Sequence, residues 1–260
     1  MSIELKTPAQ IALMREAGRV VAATLEAVSA AAGPGVTTRE LDALAAETIA
    51  AHGATSNFLG YGADVGPPFP GVICTSVNEE TIHGIPSDRV LRDGDLLSID
   101  CGAVIDGWHA DAATTVAIGE VPQAYRDLMR VTEDALAAGI AAMSTGRRVR
   151  DITKAISAHV DAQGSQYGIV RGYTGHGIGS ALHQDPNVPN IGGPRRTPRL
   201  VPGLVLAIEP MIVLGSPQVR ELSDQWTVSA VDGSVAAHFE HTIAKTESGI
   251  EVLTGTFRSC

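Results

Sequence analysis

Four acids and one histidine carry the chemistry this chain has to offer. Asp100 closes the apolar run Leu96-Leu97-Ser98-Ile99, and Glu209 closes Leu204-Val205-Leu206-Ala207-Ile208 in the same way. Asp111 and Glu240 each lead into a further β-type run, and His176 stands in Gly175-His176-Gly177-Ile178. A carboxylate buried at a strand end costs several kcal/mol, of order 3–5, unless a cation or proton donor meets it. Lys and Arg are absent from the immediate flanks of Asp100, Asp111 and Glu209, and Lys245 lies five residues beyond Glu240. Gathered in one pocket, the four acids would carry about −4, which two divalent cations neutralise. Oxygen-rich ligation with a single imidazole suits Mn, Fe(II), Co(II) or Zn. Two such ions ~3.5–4 Å apart share bridging carboxylates and hold a bridging hydroxide, so hydrolysis is the expected reaction.

Taken singly, each residue has a plainer use. Asp100 fits a turn cap before Gly102, Asp111 a strand terminus, Glu240 an exposed edge, and His176 a loop histidine bonded to backbone. The neighbouring His109, His238 and His241 are expected to support the ligands or face solvent, because five ligands already suffice. Cys101, on the strand face opposite Asp100, is expected to pack in the core. Gly175-His176-Gly177-Ile178-Gly179 makes a poor phosphate loop, because 180–186 does not open a helix after it. No Gly-x-Ser-x-Gly elbow is present.

The elements that must hold these residues come in a doubled order. Thr7-Pro8-Ala9-Gln10 and Thr37 with Glu40 form capping boxes, opening helices that run to Gly33 and to about His52. A Gly/Pro loop follows over 60–71, then strands at 72–77, 96–101, 103–105 and 114–118. Helices from Pro122 to about Met143 and over 149–163 repeat the pair. Strands near 169–170, 204–209, 211–214, 226–231 and 239–245 complete the chain, with a long polar loop over 183–199. The echo is also local. Residues 91–100 match 200–209, Ile82-His83-Gly84-Ile85 matches Gly175-His176-Gly177-Ile178, and Asp111 with its following run matches Glu240. One unit used twice would bring equivalent strand ends, and the four acids, to a common seam.

Composition narrows the class. The 260 residues are 44% hydrophobic and 18% charged, which suits a compact enzyme-sized body, and a net charge of −10 argues against binding nucleic acid or anionic membrane. Three cysteines, Cys74, Cys101 and Cys260, show no paired spacing, so neither a disulfide framework nor a cysteine zinc site is expected. The start MSIELKTPAQ carries no basic-then-apolar signal, and no run reaches membrane-spanning length. A cytoplasmic location without membrane attachment is the expectation.

The ordered motifs Ser76 to Pro86 (SVNEETIHGIP), the Asp100/Asp111 pair, Gly175-His176-Gly177-Ile178-Gly179 with His183, Ile208-Glu209-Pro210-Met211 and Phe239-Glu240-His241-Thr242 resemble the type I methionine aminopeptidases. The likeness runs from about residue 8 to 253. It implies a single catalytic domain over 1–260 in the short bacterial form of metallopeptidase family M24. The fold class implied is α/β (α+β), the pita-bread fold: two pseudo-twofold-related halves whose curved antiparallel sheet is backed by helices. The activity implied is removal of the N-terminal methionine from nascent chains and peptides with a small second residue. Two divalent ions (Co, Mn, Fe(II) or Zn) would be held by Asp100, Asp111, His176, Glu209 and Glu240. In the family pattern Asp100 binds through both oxygens, Asp111 and Glu240 bridge, and His176 and Glu209 complete the second ion. Glu209 would exchange a proton with the bridging hydroxide as general base and then acid. His83 would meet the substrate near the scissile nitrogen, and His183 would bond the carbonyl oxygen. Tyr61, Phe69, Cys74, Met211 and Trp226 match the positions lining the methionine pocket, where aromatic edges and sulfur suit a thioether. A monomer that meets nascent chains, at the ribosome or free of it, is the habit the resemblance implies.

The sequence departs from the commonest pattern in a longer 61–69 loop and in Leu182, where an aromatic residue is usual. Two other functions compete. A prolidase or Xaa-Pro aminopeptidase usually has an extra domain where this chain has only the stretch before Asp100. A metal-free binding protein on the same scaffold would have lost ligands that are all present here.

Overall fold

A computed structural model describes residues 3–255; Cys260 lies outside them. The first half contains α1 (Pro8–Ala31), α2 (Thr38–Ala51), β1 (Thr55–Ser56), β2 (Ile73–Val77), β3 (Glu80–Ile82), β4 (Leu96–Ile105) and β5 (Trp108–Ala117). The second half opens with α3 (Gln123–Thr145) and α4 (Val149–Gln163), then β6 (Gly168–Ile169), β7 (Thr174–Gly177), β8 (Gln184–Pro189), β9 (Val205–Ile208) and β10 (Met211–Val213). It ends with β11 (Val219–Glu221), β12 (Val228–Ala230), β13 (Ala236–His238), β14 (His241–Thr246) and β15 (Gly249–Val252).

Both expected capping boxes form. Thr7 and Gln10 exchange side-chain and backbone bonds at the start of α1, and Thr37 and Glu40 do so at α2. At the start of α4 the Asp151 carboxylate accepts from the N–H groups of Arg147 and Arg148, at 2.8 and 3.0 Å. Each half has its own core. Val21, Leu25 and Leu41 pack with Ile73, Leu97, Ile99 and Cys101 in the first, and Leu128, Leu136 and Ile156 with Leu206, Ile208 and Ile243 in the second. Every strand pairing is antiparallel, with β5 and β2 flanking β4 and the order β15-β14-β9-β7-β8 in the second half.

The halves join where Ala113 on β5 meets Glu240. Ala113 N–H donates to Glu240 O at 3.3 Å and Glu240 N–H returns the bond at 2.9 Å. Threonines reinforce the join on both sides. Thr242 Oγ1 accepts from Asp111 N–H at 3.0 Å and donates to Asp111 O at 2.8 Å, and Thr115 Oγ1 makes the same pair of bonds to His238, both 2.9 Å. The two sheets are thereby joined by a single β-bridge at the seam that the internal echo predicted.

Three expectations of detail are corrected. The runs 96–101 and 103–105 are one ten-residue strand, β4, paired with β5 along its whole length. The expected 183–199 loop contains β8. Residues 174–177 form β7 rather than a loop, and the glycines there serve close approach. A Cβ at Gly175 would collide with the carbonyl oxygen of Ala207, and one at Gly177 with that of Asp185. Among the described residues no helix is long and apolar enough to cross a membrane.

Gly18 on α1 shows how closely the helix layer sits on the sheet. A Cβ at that position would collide with the backbone oxygen of Leu253, just past β15. Gly18→Ala is expected to destabilise the protein by ~1–3 kcal/mol through this overpacking, outweighing a helix-propensity gain of ~1 kcal/mol. Denaturant unfolding checks it; a midpoint equal to or above that of the parent protein would contradict the close approach.

Candidate active site

Each candidate ligand reaches the seam on a strand or directly beside a strand end. Asp100 on β4 lies opposite Cys74 on β2, and Asp111 on β5 lies opposite Gly102. His176 on β7 pairs with Ala207 on β9, and Glu209 follows the end of β9. Glu240 sits between β13 and β14 on the bridge to Ala113. These five side chains line a cavity of about 110 Å³ together with His83 and His183. Glu240 is 2% exposed, so the plain reading of an exposed edge acid does not hold.

Among the described residues no lysine or arginine lines this cavity. Asp100 Oδ1, Asp111 Oδ1 and Glu240 Oε1 are buried without a hydrogen-bond partner. Burial pushes the Asp100 carboxyl up to about 7, even though it shares a hydrogen bond with Asp111. Burial, reinforced by mutual repulsion, holds Asp111, Glu209 and Glu240 well above the usual carboxyl range. The imidazoles move the other way, His176 down to about 3 and His83 to about 4, chiefly by burial, so both are neutral at pH 7. Neutral imidazole is the metal-binding form. His176 Nδ1 lies 3.0 Å from the carbonyl oxygen of Gly177, and a bond donated there leaves Nε2, 3.5 Å from Glu209 Oε1, for an ion. Ligand atoms of Asp111, His176 and Glu240 all lie within 4.8 Å of one another. Orphaned carboxyl oxygens, a neutral imidazole and the lack of a lining cation are together what a divalent-metal centre requires.

The other wall is apolar. Phe69 meets the Trp226 ring edge-on at 5.3 Å, and Cys74 and Tyr61 complete the slot with Phe58 and Leu182. Trp226 Nε1–H donates to the carbonyl oxygen of Pro67 at 3.0 Å, tying the long 61–69 loop over the pocket rim. Tyr61 Oη lies 2.6 Å from His183 Nδ1, which leaves the far nitrogen of that ring free.

One expected pocket residue is elsewhere. Met211 is fully buried, packed among Ile82, Val170 and Val228. It lies on a three-residue strand between β13 and β6, with both faces covered. Phe58 lines the pocket and was missed, although its aromatic side chain three residues before Tyr61 was a usable signal. His238 is not solvated: it is 2% exposed beside Glu240.

The profile of metallopeptidase family M24 matches residues 12–247. The chain is 48% identical over 249 residues to methionine aminopeptidase 1 of Bacillus subtilis, covering 96% of this chain and 98% of that one. The chain belongs to the methionine aminopeptidases of family M24. It is also 48% identical to methionine aminopeptidase 1 of Mycobacterium tuberculosis, over 96% of this chain and 94% of that protein. The crystal structure of methionine aminopeptidase from Thermotoga maritima superposes with a TM-score of 0.92 at 39% identity, covering 98% of this chain and 100% of that one. A prolidase from Pyrococcus furiosus shares the fold at 20% identity and a TM-score of 0.78, with 66% of its own length covered. The pita-bread fold expected from the sequence is therefore realised, and this aminopeptidase is a metal-dependent enzyme.

Proposed function

We propose that this aminopeptidase removes the N-terminal methionine from nascent chains and peptides with a small second residue. In this reading it acts in the cytoplasm as a monomer whose whole length is one catalytic domain. The observation that carries it is one cavity in which uncompensated buried acids share a wall with an aromatic slot. Asp100, Asp111, His176, Glu209 and Glu240 would hold two divalent ions, of the Co, Mn, Fe(II) or Zn type. When bound, the ions supply Lewis acidity and a water acidic enough to react at neutral pH.

The remaining work falls to the chain. Glu209, whose carboxyl pKa is raised by burial, takes the proton from the attacking water and returns it to the leaving amine. His183, with Nδ1 engaged by Tyr61, directs Nε2–H at the carbonyl oxygen as it gains negative charge. His83, neutral and close to Trp226 at 6.4 Å between ring centroids, bonds the substrate near the scissile nitrogen. Phe69, Cys74, Tyr61, Trp226, Phe58 and Leu182 receive the thioether. A small second residue is preferred in this reading, because the leaving peptide must fit beside the acids and the ions they hold.

A peptide panel tests the reading. Met-Ala and Met-Gly peptides are expected to release methionine, and peptides with leucine at either of the first two positions to react at least 10–200-fold more slowly. Cleavage before proline at comparable kcat/KM would move the protein to the prolidase side of the fold.

A further inference from the structure

His238 closes β13 two residues before Glu240, and residues two apart in extended chain project to one side. The ring is 2% exposed, and neither of its nitrogens has a hydrogen-bond partner. A buried polar atom left in that state is destabilising unless something else meets it. Nε2 lies 3.8 Å from Glu240 Oε2, too far for a hydrogen bond. Two atoms that ligate one ion at ~2.0–2.2 Å stand roughly 3–4 Å apart, and 3.8 Å falls in that range. Ligand atoms of Glu209, His238 and Glu240 lie within 4.8 Å of one another, and Glu240 belongs equally to the group formed with Asp111 and His176.

The backbone holds the ring at this place. Thr115 Oγ1 pins both the N–H and the carbonyl of His238 at 2.9 Å, Ser98 Oγ lies 2.9 Å from the same hydroxyl, and His238 pairs with Met211 on β10. We propose that His238 is a sixth side-chain ligand, bringing Nε2 to an ion it shares with Glu209 and Glu240. The inference rests on the reading of the acid cluster as a metal centre. It gives that centre two imidazoles, His176 and His238. A second imidazole moves the donor set away from the oxygen-rich preference of Mn and toward Co, Fe and Zn.

The test uses the full chain, stripped of metal and titrated with Co(II). Equilibrium dialysis counts the bound ions, and proton NMR counts the paramagnetically shifted, solvent-exchangeable ring N–H signals. Two such signals are expected in the parent protein and one in His238→Gln, with the Kd for Zn rising ~10–100-fold in the variant and that for Mn changing less. One signal in the parent, or two that persist in His238→Gln, overturns the proposal. If the variant does not fold, an anomalous-scattering map of the Co-loaded parent decides. An ion ~2.1 Å from His238 Nε2 supports the assignment, and ions distant from the ring remove it. Co(II) bound in full with a single imidazole signal sinks this inference alone. No Co(II) bound at all sinks the metal-centre reading with it.

Discussion

Glu209→Gln is expected to lower kcat by about 10²–10⁴-fold, the range that a positioned acid–base group contributes. The substitution keeps the shape of the side chain at the end of β9 but removes both its negative charge and its proton-accepting oxygen. Glu209 is the acid whose Oε1 stands 3.5 Å from His176, and burial already disposes its carboxyl to hold a proton. The two consequences separate experimentally. Metal content measured beside kcat assigns the loss to proton transfer if the ions remain, and to ligation if they leave. Near-parent turnover at full metal content would remove Glu209 from the reaction.

Removing metal is expected to suppress turnover by ~10³-fold or more, because Lewis-acid stabilisation is worth several kcal/mol and each 1.36 kcal/mol is tenfold in rate. Mn, Fe(II) or Co should restore it, and full activity in strong chelator would refute the prediction. The metal-free protein should also reveal its acids through stability. Folded-state carboxyl pKa values above the unfolded ones mean that the folded chain binds more protons, so stability falls as pH rises through them. The buried histidines work oppositely, losing stability as pH falls from ~6.5 toward the 3 to 4 of His176 and His83. Near pH 7 the unfolded histidines lose their last protons while Asp100, at about 7, loses its own in the folded state, so the two trends oppose each other in the metal-free protein. Ions held by the acids require them deprotonated, so the gap between the metal-loaded and metal-free Tm is expected to widen as pH rises through about 7. A gap that stays constant across neutral pH would contradict the uncompensated acids.

Much of this enzyme was legible as one-dimensional pattern. The capping boxes at Thr7 and Thr37 are local, made by residues three apart, and both form as read. Asp100 and Glu209 stood out because an acid closing an apolar run is a conflict visible in the chain itself. The doubled order of elements was enough to predict that these conflicts meet. Glycine was the misleading signal: Gly175 and Gly177 look like loop residues, but in β7 they make room for backbone packed against them.

Residue order therefore determined the acid set, the twofold plan and most of the pocket, because each is written in spacing along the chain. Only tertiary structure decided that Ala113 pairs with Glu240, that Met211 turns into the core, and that His238 enters the acid cluster. Pairing between residues more than a hundred positions apart leaves no local trace. A three-residue strand such as β10, apolar throughout, has no alternation to say which face meets the cavity.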